Sequence, residues 1–220
     1  MNYQELLDTL FSFKDEKYAE FTKPLTNSDY ICIGVRLPIT KDLAKKHYLD
    51  EDLLLDDFKL SKYLEVDEIY FMIALLRIKD INKQLDFVLK NTKYVLSWSV
   101  TDTIPQYLKK LDFDSFYSFF LKTYESKYIY TRRVGYVIAM KFRQDKRVLS
   151  LLPYIRENED YMVMMGEAWL LATIAISFPQ EILEFTRNLK DLTLKRKIIS
   201  KISDSYRISE EMKKEFKALR

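Results

Sequence analysis

Apolar positions recur along most of this chain at the i, i+3, i+4 spacing that buries one face of an α-helix. Taken at period 3.6, the pattern predicts helices over residues 2–13, 15–23, 40–47, 52–63, 66–78, 80–90, 99–110, 114–124, 131–143, 147–156, 160–177, 179–188, 193–203 and 208–218. Start signals support several of them. Thr131 precedes RRVGYVIAM, Asn158 precedes EDYMVMM and Ser209 precedes EEMKKEF, each a side chain able to accept from a helix's first free N–H groups. Pro179 stands where the long apolar helix must stop and suits the first position of the next one.

The predicted helices pair. Trp98 to Arg133 is 35 residues and Arg133 to Trp169 is 36, and each interval holds two helices and a short link. Such a period is the signature of an all-α superhelix, a solenoid of HEAT-like (armadillo-type) repeats in which one helix of each pair lines a concave groove. The expectation is one repeat domain over residues 1–220.

Composition agrees with the pattern. Three glycines and five prolines in 220 residues are too few to turn a β-rich chain, and 48% apolar with 15% aromatic residues is ample for a core. The N-terminus acquires acidic residues at once and does not resemble a signal peptide. The longest apolar stretch, Met162–Phe178, contains Glu167 and ends before Pro179, which favours a buried helix over a membrane span. A monomer in the cytosol, with no membrane partner, is the expectation.

Charge is unevenly spread. Residues 122–147 carry eight Lys/Arg against two acids and residues 187–201 six against one, whereas residues 50–68 carry eight acids against Lys59 and Lys62. Such polarity can steer a phosphate backbone onto one face, and it is also what ordinary solvated helix faces look like. Arg132, Lys141, Arg143, Lys195, Arg196, Lys197 and Lys201 are the candidate contacts to such a phosphate backbone. One cysteine, Cys32, and one histidine, His47, exclude a disulfide framework and the common multi-cysteine and histidine-pair metal motifs. No metal or cofactor is expected.

The candidate chemistry lies in Ser97-Trp98-Ser99-Val100-Thr101-Asp102. Trp98 and Asp102 are four apart and share one helical face. Arg133 opens the next repeat and Trp169 lies one repeat further on, so Trp98, Asp102, Arg133 and Trp169 could converge on one wall. Individually, a tryptophan is more often core, an aspartate in a first turn a dipole or capping residue, and a paired arginine solvated.

Five ordered segments resemble the DNA alkylation repair enzymes, the AlkD-like HEAT-repeat DNA glycosylases. Ile33-Gly34-Val35-Arg36-Leu37-Pro38 is similar to an early GVR-x-P element, Trp98 to Asp102 to a W-x-x-x-D signature, and Arg132-Arg133-Val134 to an arginine opening a later helix. Tyr161 to Leu171 resembles a Y-x-V-x-M-x-x-A-W-x-L run, and Lys197 to Ser209 a C-terminal K-x-I-x-K-I-x-x-S-Y-R stretch. Ser97, Ala172 and the segment Glu68–Met72 depart from the family pattern.

The resemblance implies a base-excision DNA glycosylase. It would hydrolyse the N-glycosidic bond of cationic N3- or N7-alkylated purines in double-stranded DNA, in the cytosol and nucleoid of a bacterium. A purine already carrying positive charge needs no general acid, only stabilisation of the oxocarbenium-like sugar. Asp102 would supply that carboxylate, Trp98 and Trp169 would face the cationic nucleotide, and Arg133 would hold a neighbouring phosphate. The alternatives are a catalytically silent or specialised paralogue binding DNA structures, and a protein-interaction module using the same groove.

Overall fold

The computed structural model describes residues 1–26, 28–58, 61–157 and 159–219. The fold is all-α, with helices packed in a repeat-like order consistent with an α-solenoid. Among the described residues the sole β feature is one isolated parallel bridge between Ile31 and Tyr63. None of the described helices is long and apolar enough to cross a membrane. The chain forms two compact units, residues 1–111 and 112–220.

The first unit contains α1 (Tyr3–Ser12), α2 (Glu16–Thr26), α3 (Leu37–His47), α4 (Leu64–Arg77), α5 (Ile81–Asn91) and α6 (Trp98–Thr103). Helix α1 is set by a capping box: Asn2 accepts from the Glu5 N–H, and Glu5 accepts in return from the Asn2 N–H. Helix α4 is the centre of the unit. It packs on α3 and α6, and its sequence LEVDEIYFMIALLR is buried on nearly every face, as a helix apolar all round must be.

A buried carboxyl group joins this helix to the loop before α3. Glu65, 3% exposed, accepts from the N–H groups of Ile33 (3.0 Å), Gly34 (2.7 Å) and Val35 (3.2 Å). Gly34 lies at φ +93°, a conformation that side chains disfavour, and a Cβ there would meet the Asp15 carbonyl oxygen at 2.1 Å. The GVR-x-P element is thus a loop folded around a glutamate.

The second unit contains α7 (Phe113–Tyr124), α8 (Ile129–Ala139), α9 (Tyr161–Ile174), α10 (Pro179–Asn188), α11 (Leu192–Ser203) and α12 (Glu210–Lys217). Helix α9 packs between α8 and α11. Phe113, Phe116, Phe142, Phe120, Tyr136 and Tyr154 form one continuous aromatic cluster, joined where Phe116 meets Phe120. Pro179 opens α10 and Ser209 caps α12, as the sequence suggests.

Four expectations change. The described residues of the segment predicted at 52–63 form no α-helix but a single 3-10 turn at Leu55–Phe58. The guanidinium of Arg77 takes the carbonyls of Tyr48 (2.5 Å), Asp50 (2.8 Å) and Leu53 (2.9 Å), which holds the preceding chain in a loop. The segment predicted at 147–156 is a 3-10 helix, Lys146–Tyr154, whose penultimate residue Pro153 has no N–H to give to an α-helical ladder. The helix predicted over 99–110 is α6 followed by a 3-10 turn, Ile104–Tyr107, with Pro105 near its start. Thr131 is buried inside α8, which starts two residues earlier and has Tyr128 at its N-cap position. The proposed cap Asn158 lies outside the described residues, and the N-cap of α9 is Asp160, which accepts from the Met162 N–H.

Helix α9 carries an acid in its core. Glu167 is fully buried; its Oε1 accepts from the Arg156 N–H at 3.0 Å, and its Oε2 has no hydrogen-bond partner among the described residues. Desolvation pushes its acidity from the ordinary 4.5 up to about 8.

Two outcomes follow from this architecture. Gly34→Ala is expected to lower unfolding free energy by on the order of 3 kcal/mol, because both φ and the Asp15 carbonyl oppose a Cβ. Urea denaturation measures it, and a variant as stable as the parent would refute the role given to that loop. Burial of Glu167 raises its folded-state value, so the stability it contributes is complete below about pH 4.5 and is lost as pH rises through about 8. The melting temperature should therefore fall between pH 5 and 8.5, and Glu167→Gln should flatten that decline. Parallel pH profiles for the two proteins would refute this account.

Candidate functional site

Trp98 and Asp102 come together in the first unit. Ser97 caps α6 by accepting from the Ser99 N–H at 3.3 Å, which makes Trp98 the first helical residue and places Asp102 one turn later. The Trp98 indole N–H donates to the Leu25 carbonyl of α2 at 2.8 Å, which fixes the ring. The Thr101 hydroxyl lies 3.2 Å from an Asp102 carboxylate oxygen. Both side chains are half-buried and line a cavity of about 320 Å³, within the range of small-molecule sites.

Three aromatic rings and three acids are among the residues that line that cavity. Tyr18 and Phe21 of α2 face it together with Trp98, and Phe21 is exposed. Arg36 lies 4.4 Å from the Tyr18 ring centre and 3.3 Å from the Asp15 carboxylate, so Tyr18 is braced from outside. Among the described residues on the lining, three are acids (Glu65, Glu68 and Asp102) and one, Lys41, is basic. The Glu65 carboxyl is committed to the loop that carries Gly34. Glu68 is 6% exposed, and burial pushes its acidity from 4.5 up to about 7 against hydrogen bonding with Ser99. Charge complementarity favours a flat, cationic guest.

Arg133 and Trp169 lie on adjacent packed helices of the second unit, α8 and α9. Arg133 is 5% exposed and donates to the Met162 carbonyl of α9 at 2.6 Å, while its side-chain stem lies against Gly166. It ties the two helices together. Trp169 is 39% exposed, and Tyr161 at the start of the same helix is exposed under the ammonium of Lys197, 5.3 Å from its ring. Ala172 is 4% exposed and sits in the packing.

The other basic candidates differ in their surroundings. Arg132 forms an ion pair with Glu159 at 2.8 Å, both side chains largely buried. Lys195 donates to the Arg187 carbonyl at 3.1 Å. Lys141 and Arg196 are exposed, and Arg143, Lys197 and Lys201 are half-buried. His47 lies 2.8 Å from Asp50, which also accepts from the N-terminal ammonium. Burial raises the Cys32 thiol to about 11, well away from thiolate chemistry.

Periodicity and motif spacing missed the rest of the cavity: Tyr18, Phe21, Lys41 and Glu68. The one signal for Glu68 is its spacing of three from Glu65 in an otherwise apolar helix, which puts two acids on one buried face.

Comparisons with known proteins bear on the fold and the family. No curated protein matches the chain. A protein of Enterococcus faecalis described as a predicted DNA alkylation repair enzyme has a similar solved structure, with a TM-score of 0.67 and 16% sequence identity. That likeness covers 87% of this chain and 98% of the other, and it concerns the fold. The model of the DNA alkylation repair enzyme family matches residues 6–201, across both units. The chain belongs to the DNA alkylation repair enzyme family.

Proposed function

We propose that this protein is a DNA glycosylase that releases N3- and N7-alkylated purines from double-stranded DNA. The observation that carries the proposal is the presence of Asp102 and Trp98 on one cavity with aromatic walls and an excess of acids. The residues divide the work by chemistry. Alkylation at N3 or N7 gives the purine a positive charge, so the N-glycosidic electron pair can leave with the base and neutralise it. Positive charge then develops on the sugar. Asp102 lies one helical turn from Trp98 and faces that charge as a carboxylate, with the Thr101 hydroxyl beside it. Water adds to the anomeric carbon, its proton passes to solvent, and an abasic site remains.

The magnitude is adequate. A charge pair at about 4 Å with an effective dielectric near 20 is worth roughly 4 kcal/mol, about three decades of rate. Trp98, fixed by its bond to Leu25, offers the face of its ring to the cationic base. In the second unit, Trp169, partly exposed on α9, offers an aromatic surface to DNA, and the exposed cations Lys141 and Arg196 serve the phosphates. Arg133, in this proposal, acts on DNA through the position of α9 and a phosphate next to the lesion.

The test is release of free 7-methylguanine from methylated duplex DNA. Asp102→Asn should slow release by about a thousandfold with little effect on salt-dependent DNA binding. Trp169→Ala should weaken binding to lesion-bearing duplex on the order of tenfold while the fold persists. DNA binding without base release by the parent protein would favour a specialised DNA-binding member of the family. Absence of DNA binding at low salt would refute both.

A further inference from the structure

The acid on this cavity that the chemistry above leaves idle is Glu68. It projects from α4 onto the lining shared with Asp102, Trp98 and Lys41, and it is 6% exposed. A carboxyl group so placed costs free energy to bury. Its surroundings are specific. Ser99 of α6 and Thr40 of α3 hydrogen-bond with it. Lys41 comes from α3, Glu65 from its own helix, Asp102 from α6 and Tyr18 from α2, while the 3-10 turn 104–107 contributes uncharged Gln106 to the same lining. Both hydrogen bonds favour the ionised acid, against the desolvation that favours its neutral form.

From this geometry we infer that Glu68 is a specificity-determining residue of the cavity, a second acid that selects a planar cationic ring over a neutral ring of the same size. The inference rests on the cavity being the cation site proposed above. A neutral guest leaves Glu68 protonated and the cavity one charge less negative. A cationic ring entering between Tyr18, Phe21 and Trp98 favours the ionised form, so binding expels a proton into solvent whenever Glu68 starts out protonated. Nothing is oxidised and no bond other than O–H changes. The cationic guest therefore binds more tightly as pH rises, and the neutral guest does not. Because burial holds Glu68 to about 7, the change falls between pH 6 and 8.

Calorimetric titration of the full-length protein with N-methylquinolinium, a bicyclic ring of fixed positive charge, tests this against quinoline, its neutral counterpart. Affinity for the cation is expected to rise roughly tenfold from pH 6 to pH 8, with nearly one proton released per binding event at pH 6. Quinoline should show neither effect. Glu68→Gln should bind the cation with an affinity independent of pH, its folding checked by circular dichroism. Ser99→Ala, which leaves the carboxyl in place but removes a donor to its ionised form, should move the midpoint to higher pH. No binding of the cation, equal binding of quinoline, or an unchanged pH response in both variants would overturn the inference. Release of 7-methylguanine is followed on the same preparation. Base release with a flat affinity profile refutes the role of Glu68 alone, whereas a pH-dependent profile without base release refutes the glycosylase reading alone.

Discussion

The first unit depends on three backbone N–H groups converging on the carboxyl of Glu65. A buried carboxyl group without partners is costly, and a buried loop with unsatisfied N–H groups is costly as well. Each removes the other's penalty, but only if the chain turns through a conformation that Gly34 tolerates. The result positions more than the loop. Val35 and Leu37, on either side of Arg36, enter the cavity wall, and Arg36 itself braces Tyr18. A glycine and an arginine of one loop and a glutamate 31 residues after that glycine therefore hold one wall of the site in place.

Both units place an acid in a helix that is buried on nearly every side, and the two cases differ instructively. Glu65 has its three donors and is a structural tie. Glu167 has one backbone donor and an oxygen without a hydrogen-bond partner among the described residues, so its neutral form is the one that burial favours. Glu68 lies between these extremes, hydrogen-bonded on one side and facing an open cavity on the other. The degree of satisfaction separates a tie, a stability cost that grows with pH, and a group free to respond to a guest.

Much of this architecture is legible in the chain. Pro179 marks the start of α10 because its ring suits the first helical position, and Trp98 and Asp102 can be placed on one face from their spacing alone. What escapes is tertiary. The apolar pattern of residues 52–63 suggests a helix, but Arg77, far along the chain, takes carbonyls at Tyr48, Asp50 and Leu53. The adjacent arginines Arg132 and Arg133 look alike and solvated. One pairs with Glu159 and the other lies almost wholly between α8 and α9, and no periodicity distinguishes them. Glu68 is missed for the converse reason: an acid in an apolar helix suggests a surface position until the helix is seen to have almost no surface.

The candidate site is held by a helix too short to hold itself. Six residues form barely more than one turn, and nucleating that turn is unfavourable in isolation. The geometry of Trp98 and Asp102 must therefore be imposed from outside α6. Three contacts do so: the Ser97 cap at its start, the burial of Val100, Thr101 and Thr103 against the unit's core, and the indole N–H bond to Leu25. The last of these links the aromatic wall to α2, whose own side chains Tyr18 and Phe21 form the opposite part of the lining. Orientation of the acid and closure of the cavity are then one structural property. A change that loosens α2 displaces Trp98 and, through the single turn they share, Asp102 as well.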